Sequence, residues 1–433
     1  MSVAVALFTR DLRVRDNPAL TAAVREADQV VPLFVVDDTL VPCPPNRAHF
    51  LAAALTELDT ELRALGGALV VRSGTVADEV ARVLAETGAT SVHLAEDVSG
   101  YSRRREEALR RTNAAVHVHS GSITATSAEL VPSTGRDHFA VFTPYFRRWS
   151  AAHRRKPLPA PPSLSVPALS SAALPGPTAL GSGEPSPQLR VGGETTGRAL
   201  LEQWLDGPIT GYADHSDDLA ADATSHLSAH LHFGCLSPTD VVGRVDPTDA
   251  GGLAFARQLA WRDFHHQVLA ARPDAAWRDY RTRTTPGPVD EKALAAWKAG
   301  RTGYPIVDAG MRQLRTEGWM PGRARLIAAS FLAKSLRQDW RLGAAHFLHW
   351  LVDADLANNQ LNWQWIAGTG TDTRPNRVLN PLRQADRYDP DGSYARRWLP
   401  ELAHLPGARV HRPWRENVDA AVYPPRLIDC VGS

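Results

Sequence analysis

The N-terminal part of the chain alternates apolar runs of strand length with helical signals, and this alternation restricts the possible folds more than any other feature. The predicted strands are residues 3–8, 29–37, 68–74, 90–97 and 114–121. The predicted helices begin after the capping pair Asp16-Asn17, where Pro18 follows, and cover residues 47–65, 76–86 and 103–111. Alternating strands and helices form a parallel sheet with helices on both faces. The sequence therefore predicts a Rossmann-like α/β domain with a parallel five-stranded sheet.

A ligand site in such a domain is expected at the carboxyl ends of the strands. Residues 9–13 follow the first predicted strand, residues 37–38 and 96–97 lie at the ends of two others, and all three segments are rich in charged side chains. Solvated loop charges explain the same residues equally well. No GxGxxG motif follows the first strand, so dinucleotide binding is only weakly indicated.

A segment rich in Pro, Ser, Ala and Gly, residues 156–188, separates this part from the rest and is typical of a linker that packs little. The pattern beyond it is helical, and every tryptophan except Trp149 follows it. We predict an α/β domain over residues 1–130, an interdomain linker over 131–195 and an all-α domain over 196–433. The tryptophans fit a bulky core, stacking on flat ligands or electron transfer.

Charge and cysteine content narrow the class of protein. The net charge of +1 provides no global field for nucleic acid, so a DNA site requires a local basic patch. The three cysteines, Cys43, Cys235 and Cys430, are far apart, which indicates a reducing compartment without a disulfide framework. No signal peptide or membrane-length apolar run is present, so we expect a cytoplasmic protein that contacts no membrane, and we expect a monomer.

The densest polar stretch is DADLANNQLNWQWIAGTGTD, residues 353–372, which combines carboxylates, amides and two tryptophans. Buried polar groups need partners, so this density predicts a bound polar ligand. If the middle is helical, Trp363 and Trp365 lie about 200° apart around the axis and face different surroundings. Three alternatives stay open here: a metal-binding pair at Asp353 and Asp355, ordinary core tryptophans, and a simple helix end at Gly368.

The chain resembles the photolyase/cryptochrome family over nearly its whole length. The motifs that carry this resemblance are LFTRDLRVRDNPAL, the Gly211-Tyr212 pair, TSHLSAHLHFGCLSP, QLAWRDF, RTGYPIVDAGMRQL, ASFLAKSLRQDWR, the stretch at 353–372 and RYDPDGSYARRWLPEL. The opening motif implies that the first domain can hold a second, light-harvesting chromophore of folate or deazaflavin type. The resemblance implies that the all-α domain binds FAD.

The resemblance implies a set of flavin-binding residues. These are Tyr212, Thr224, Ser225, His226, Leu227, Ser228, Arg262, Arg325, Asp353, Asp355 and Asn359. Among them, Arg325 and Asp353 are expected to form an ion pair by the isoalloxazine, and Asn359 resembles the residue that faces flavin N5. Hydroxyls and N–H groups around Thr224 can hold a diphosphate at a helix start, although a plain N-cap explains them too.

The implied activity is light-driven repair of cyclobutane pyrimidine dimers in UV-damaged DNA, with the lesion flipped into the cavity. The expected substrate contacts are Gln258, Trp261, Arg323, Leu326 and Trp365, with Trp261 and Trp365 stacking on bases. Backbone phosphates are expected at Arg323, Arg341, Arg374, Arg377, Arg396 and Arg397. The resemblance also implies an electron relay through Trp340 and Trp363, and no metal ion.

Several positions depart from the family pattern. Gln258 stands where dimer-repairing members usually have Glu, Leu326 where Met is usual, and Pro321-Gly322 where His-Asn is usual. Residues 280–297 have no Trp at the place that corresponds to the outermost relay tryptophan, so Trp277 or Tyr280 is the expected substitute. These departures leave a cryptochrome-type light sensor without repair activity as the alternative. A dark flavin oxidoreductase is a remote third possibility, because no nicotinamide-binding motif is present.

Overall fold

The structure is a computed structural model that describes residues 1–127, 130–282, 287–371 and 373–429 of the chain. Contacts divide the chain into two compact units. The sheet unit comprises Met1–Pro185, Arg190–Gly207 and Ser225–Pro273. The helical unit comprises Ser186–Leu189, Pro208–Thr224 and Asp274–Ser433. No described helix is both long enough and apolar enough to span a membrane. Residues 283–286, which belong to the stretch expected to carry the outermost relay tryptophan, lie outside the described residues, as do Asp372 and Cys430.

The sheet unit contains the predicted parallel sheet. Its strands are β1 (Val3–Leu7), β2 (Gln29–Asp37), β3 (Val70–Gly74), β4 (Ser91–Ala95) and β5 (Ala115–His119). The strand order is β3-β2-β1-β4-β5, and every neighbouring pair is parallel. Valine and leucine side chains of these strands form a buried core with helix residues such as Val80 and Val83. The α/β fold class predicted from the alternating pattern is confirmed.

Helices make up most of the remaining structure. In chain order they are α1 (Pro18–Glu26), α2 (Pro45–Ala64), α3 (Val76–Thr87), α4 (Gly100–Leu109), α5 (Phe142–Ala151), α6 (Pro177–Leu180), α7 (Glu194–Leu205), α8 (Tyr212–His215), α9 (Ser228–Phe233), α10 (Pro238–Arg244), α11 (Ala250–Ala271), α12 (Glu291–Lys298), α13 (Pro305–Glu317), α14 (Gly322–Ser330), α15 (Trp340–Trp350), α16 (Leu356–Ala367), α17 (Pro381–Tyr388) and α18 (Ser393–Trp398). A π-helical turn, Phe331–Ser335, follows α14. Short 3-10 turns occupy Pro208–Gly211, Pro273–Ala276, Pro400–Leu402, Gly407–His411 and Pro413–Arg415.

The residues at which helices begin were predicted less well than the helices themselves, because side-chain capping determines the first helical residue. Helix α4 begins three residues before the predicted start, since the Ser99 hydroxyl accepts a hydrogen bond from the Ser102 N–H at 3.1 Å. Helix α2 begins at Pro45, a residue type that suits a first helical turn because it needs no N–H partner there. Asn17 caps α1 as predicted, accepting from the Leu20 N–H at 3.0 Å.

The proline-rich segment is more ordered than a loose linker, which corrects the prediction that it packs little. The N–H of Leu164 donates to the Leu65 carbonyl at 2.6 Å, and the N–H of Ala172 donates to the Val71 carbonyl at 2.9 Å. The short helix α6 ends at Leu180, whose carbonyl accepts from the Cys43 N–H at 2.9 Å. Backbone hydrogen bonding therefore holds this segment along the sheet unit.

The two contact-based units are divided at residues other than the predicted domain boundaries, 130 and 195. Those domain boundaries stay a prediction. Helix α11 groups with the sheet unit. It packs on α5, where the Trp261 ring stacks on Phe142 with ring centroids 3.7 Å apart and Phe264 meets Tyr145 at 5.4 Å. The helical unit has a separate core around Trp297, Tyr304, Phe331 and Trp363. Aromatic packing thus decides which unit a helix joins.

Candidate functional site

An ion pair with an unmatched carboxylate oxygen precedes α16 in the helical unit. The Arg325 Nη2 group donates to Asp353 Oδ2 at 2.8 Å, and its Nε donates to the Met320 carbonyl at 2.9 Å. Asp353 is only 9% exposed, and its Oδ1 has no hydrogen-bond partner among the described residues. Native proteins rarely leave a buried polar atom unpaired. The predicted ion pair is therefore present, and the remaining oxygen is available to a bound polar group.

Helix α16 begins on Asp355, which acts as its N-cap. Asp355 Oδ1 accepts from the Asn358 backbone N–H at 2.9 Å and from the Asn358 side-chain amide at 2.7 Å. One turn on, Asn359 Nδ2 donates to the Ala344 carbonyl at 3.1 Å and to Gln360 Oε1 at 2.9 Å. An amide nitrogen has two N–H donors, so both are used. The Asn359 side chain therefore offers its carbonyl oxygen, an acceptor, to a ligand.

Of the alternatives left open for residues 353–372, the structure supports the helix end at Gly368 and does not favour the metal-binding pair. Gly368 terminates α16 in the left-handed conformation with φ 82°, and its N–H donates to the Gln364 carbonyl at 2.9 Å, so the simple helix-end explanation holds for it. The paired-carboxylate alternative is not favoured by the geometry. Asp353 Oδ2 is bonded to Arg325, and Asp355 is bonded to the helix start.

The two tryptophans of α16 lie in different surroundings, as the helical spacing predicts. Trp363 is 2% exposed and packs edge-on against Phe347 and Trp297 at 5.0 and 6.0 Å between ring centroids. It also rests on Gly343, where an added Cβ would overlap the indole ring. Trp365 is only partly buried, and the Arg377 guanidinium lies 5.6 Å from its ring centroid. Trp363 is thus placed in the protein interior and Trp365 at an accessible surface.

The predicted electron relay has a buried member with a polar anchor. Trp340 is 3% exposed, and its indole Nε1 donates to Asp279 Oδ1 at 2.9 Å. Trp277 is 62% exposed, and its carbonyl accepts from Arg341 Nε at 2.8 Å. Arg341 also donates to Asp279 at 2.8 Å, so one arginine and one aspartate connect the segments that carry both tryptophans. The role of Trp277 or Tyr280 as the outermost relay member stays a prediction.

A cationic cavity of about 410 Å³ lies in the helical unit. Its lining includes Arg323, Arg377, Arg383, Arg387 and Tyr388. The Arg323 guanidinium lies 4.3 Å from the centroid of the Tyr388 ring and pairs with Asp217. Arg323 already shares its charge with Asp217, but together with Arg377, Arg383 and Arg387 it makes the cavity lining suited to phosphate groups. Arg377 joins this cavity to Trp365, because it lines the cavity and covers the indole ring.

Other arginines predicted to contact phosphates are engaged elsewhere. Arg341 pairs with Asp279 and Asp339. Arg396 donates to the carbonyls of Asp391 and Gly407 at 2.9 and 3.2 Å, and these bonds fix the turn before α18. The Arg397 guanidinium lies 5.2 Å from the Trp398 ring centroid. Arg374 is a described residue of the helical unit that does not line the cavity.

The remaining predicted residues of the helical unit are partly or largely buried. Burial raises the pKa of Tyr212 to about 12, which keeps its hydroxyl neutral. The Thr224 hydroxyl oxygen is buried and has no hydrogen-bond partner within the described ranges. Leu326 is partly buried and packs against the helical core. The Thr224 oxygen, like Asp353 Oδ1, is a polar atom available to a ligand.

Four predicted flavin-binding residues surround the start of α9 in the sheet unit. Leu227 occupies the cap position without a side-chain cap bond, and its N–H donates to Ser225 Oγ at 3.4 Å. His226 adopts a left-handed conformation with φ 53°, and Ser228 is the first residue of the helix. The plain N-cap explanation for the hydroxyls in this motif is therefore not supported.

Helix α11 carries three of the predicted ligand-binding residues, Gln258, Trp261 and Arg262. Two of them, Trp261 and Arg262, already contact other residues of the sheet unit. Arg262 donates to the carbonyls of Ile123 and Leu231, the second at 3.2 Å. Trp261 stacks in parallel on Phe142, so one face of its ring is covered. Gln258 is exposed. The prediction that Trp261 stacks on a base therefore applies only to the opposite face of its indole ring.

The predicted opening motif of the sheet unit is mainly structural. Arg13 is 1% exposed and donates to the carbonyls of Gly234 and Asp16 at 2.9 and 2.8 Å. Asp11 is equally buried and accepts from the Thr9 N–H at 2.8 Å. These charges are therefore not solvated loop charges. A folate or deazaflavin chromophore in this unit stays a prediction.

Sequence reasoning missed the amides that anchor α16. Gln360 Nε2 donates to the Ala276 carbonyl and Gln364 Nε2 to the Ala275 carbonyl, each at 2.6 Å. Their i,i+4 spacing was a signal, since it places both on one helix face. Arg383 and Arg387 were missed as cavity residues although they have the same spacing. Spacing in the sequence shows which side chains share a helical face, but it does not show which residues that face contacts.

Two family models, one relative and two solved structures that match this chain are described as photolyases. Residues 4–163 match the family model described as DNA photolyase, and residues 255–431 match the one described as FAD binding domain of DNA photolyase. The deoxyribodipyrimidine photo-lyase of Streptomyces griseus is 54% identical over 442 residues, covering 99% of this chain and 97% of that protein. A bacterial class III photolyase from Agrobacterium tumefaciens superposes with TM-score 0.90 at 31% identity, covering 99% and 95%. An archaeal photolyase from Sulfolobus tokodaii, solved with two FAD molecules, gives TM-score 0.87 at 32% identity, covering 99% and 96%.

Proposed function

The chain belongs to the DNA photolyase family and is a photo-lyase enzyme with FAD as its cofactor, and from this premise we propose that it repairs cyclobutane pyrimidine dimers in DNA. Reduced FAD, when bound and excited by light, supplies one electron that splits the dimer and is then returned. The protein needs no general acid or nucleophile for this reaction. Its residues bind the cofactor, position the lesion and exclude water.

One observation in the helical unit supports this proposal most directly, namely the partly exposed Trp365 beside the four-arginine cavity. A flipped pyrimidine needs a flat surface to stack on, and stacking on an aromatic side chain contributes about 1–3 kcal/mol per base. The phosphates that flank the flipped lesion need cations, which Arg323, Arg377, Arg383 and Arg387 provide. Arg377 contacts the indole and lines the cavity, so base and backbone contacts adjoin.

We propose cofactor roles for three groups of the same unit. Asp353 and Arg325 would hold the flavin ring, and Asp353 Oδ1 would be the acceptor offered to it. Asn359 would offer its side-chain carbonyl oxygen to a flavin N–H, because both of its amide N–H groups are already used. The unmatched Thr224 hydroxyl donates to the diphosphate. All three assignments place a buried polar atom against a polar partner.

Light-dependent splitting of a defined thymine-dimer oligonucleotide tests the proposal. The enzyme with fully reduced flavin should restore the dimer to thymines under blue light and leave it unchanged in darkness. Both duplex and single-stranded substrates should be assayed. If the protein holds FAD yet splits neither substrate, the repair function is wrong, and a cryptochrome-type light sensor takes its place.

A further inference from the structure

Three histidines and one glutamate meet on the face of the sheet that α1 covers. His93 on β4 pairs with His117 on β5 in the parallel register, and His119 lies two residues further along β5. Side chains two residues apart on a strand share a face, so all three histidines lie on the same side. Glu26 is the last residue of α1, a helix that packs on β4. None of these residues takes part in the proposed repair reaction.

The nitrogen and oxygen atoms of this cluster are spaced like ligands of one ion. His93 Nε2 lies 3.0 Å from Glu26 Oε2, and His117 Nε2 lies 4.0 Å from the same oxygen. One ligand atom from each of the three residues lies within 4.8 Å of the others. Zinc bonds of about 2.0–2.2 Å place two tetrahedral ligands roughly 3.3 Å apart. The His117 side chain is 46% exposed, so it has room to move closer.

His93 has the features of a ligand rather than of an ordinary buried histidine. It is 2% exposed, and its Nε2 faces Glu26 Oε2 at 3.0 Å with no other hydrogen-bond partner in the described part of the chain. The ring nitrogen and the carboxylate oxygen are therefore placed to share one ion. His93 Nδ1 is 3.0 Å from His119 Nε2. Metal-binding histidines usually have their second nitrogen hydrogen-bonded to a carboxylate, a backbone carbonyl or a water, and here an imidazole takes that place.

We propose that Glu26, His93 and His117 bind one divalent transition-metal ion, for which Zn²⁺ is the best match. Two imidazoles and one carboxylate form a donor set that Zn²⁺ accepts, whereas Mg²⁺ prefers oxygen ligands alone. The ion joins the end of α1 to β5, the edge strand of the sheet. His119 is a positioning residue that fixes the ring of His93.

Metal titration of the untagged, chelator-treated holoprotein tests this site. Calorimetry with Zn²⁺ should give one site of micromolar affinity or tighter, Co²⁺ should produce visible absorption, and Mg²⁺ should produce no binding. Glu26→Gln and His117→Ala should each weaken Zn²⁺ binding at least tenfold. Both side chains are more than 40% exposed, so these variants should retain the fold, which flavin content and circular dichroism will verify.

His404→Ala is the matched control, because His404 is an exposed histidine outside the cluster. This variant should bind Zn²⁺ as the unchanged protein does. The proposal is overturned if the unchanged protein binds no Zn²⁺, or if Glu26→Gln and His117→Ala bind it with undiminished affinity. The role of His119 is tested separately. His119→Gln keeps a hydrogen-bonding group and should preserve the Co²⁺ spectrum, whereas His119→Phe should shift it.

Discussion

Helices α11 and α16 both carry aromatic and polar side chains predicted to act on a ligand, yet their surroundings differ. On α11, Trp261 stacks on Phe142 and Asp263 accepts from four donors of the sheet unit. Before and along α16, a buried Asp353 oxygen and the Trp363 indole nitrogen have no hydrogen-bond partner among the residues described. Residue type alone therefore does not identify a site, because the carboxylate on α11 is satisfied by its own unit whereas one oxygen of Asp353 is left to a ligand.

The largest effect in this comparison is expected from removal of Asp263, which should lower the stability of the fold. The carboxylate accepts from the Ala125 and Thr126 N–H groups and the Trp149 indole at 2.9, 3.1 and 2.9 Å. Asp263→Ala leaves these buried donors unpaired, so the free energy of unfolding should fall by about 3 kcal/mol or more. Urea denaturation of the holoprotein measures this loss. Asp263→Asn, which keeps one acceptor oxygen, should lose less. Flavin loss at unchanged stability would contradict a structural role.

Removal of Asp355 should act on the cofactor instead. Asp355→Ala removes both the helix cap and a predicted flavin contact, and the resulting loss of about 1–3 kcal/mol corresponds to a roughly 5- to 150-fold loss of FAD affinity. Asp290→Ala is the matched control, because Asp290 caps α12 in the same way, accepting from Ala293 at 2.9 Å. Both variants should lose cap stability of about 0.5–2 kcal/mol. Absorbance of the bound flavin should fall for Asp355→Ala, and likewise for Arg262→Ala, but not for the control Asp290→Ala. Equal flavin contents in the two cap variants would refute the assignment.

The two tryptophans of α16 provide a test within a single helix. Trp363→Phe should slow photoreduction of oxidised flavin and leave repair by pre-reduced enzyme nearly intact, because the buried indole serves electron transfer. Trp365→Ala should leave photoreduction intact and weaken dimer binding by about 1–3 kcal/mol, the contribution of base stacking. Flavin absorbance under light and dimer-oligonucleotide binding measure the two effects. If both variants behave alike in both assays, the two tryptophans do not have separate roles.

The smallest effect is expected at Gly322, the first residue of α14. An added Cβ there meets no atom within 4 Å, so Asn fits without strain. Restoring the amide found in the family motif should raise the repair rate by up to about tenfold, because one hydrogen bond contributes about 0.5–1.5 kcal/mol. Gly322→Ala, which adds no hydrogen bond, is the control. A rate increase in both variants would indicate a backbone effect rather than a restored contact.

Local patterns predicted much of the architecture. The five strands, their parallel arrangement and the helices between them follow from apolar runs and periodicity, because a parallel strand is buried on both faces. The opposite orientations of Trp363 and Trp365 follow from the rotation per helical residue. The ion pair of Arg325 and Asp353 was predicted only through family resemblance, since nothing local links residues 28 positions apart.

The sequence by itself determined the secondary structure and the residue types available for flavin and phosphate binding. The tertiary structure decided which of those side chains are satisfied internally and which are left for a ligand. Arg341 and Arg396 were predicted alongside Arg377, but the structure pairs the first two with protein groups and places the third in a cavity. The physical reason is that burial and partners depend on distant segments. Periodicity orients a side chain on its own helix, but only packing determines what it contacts.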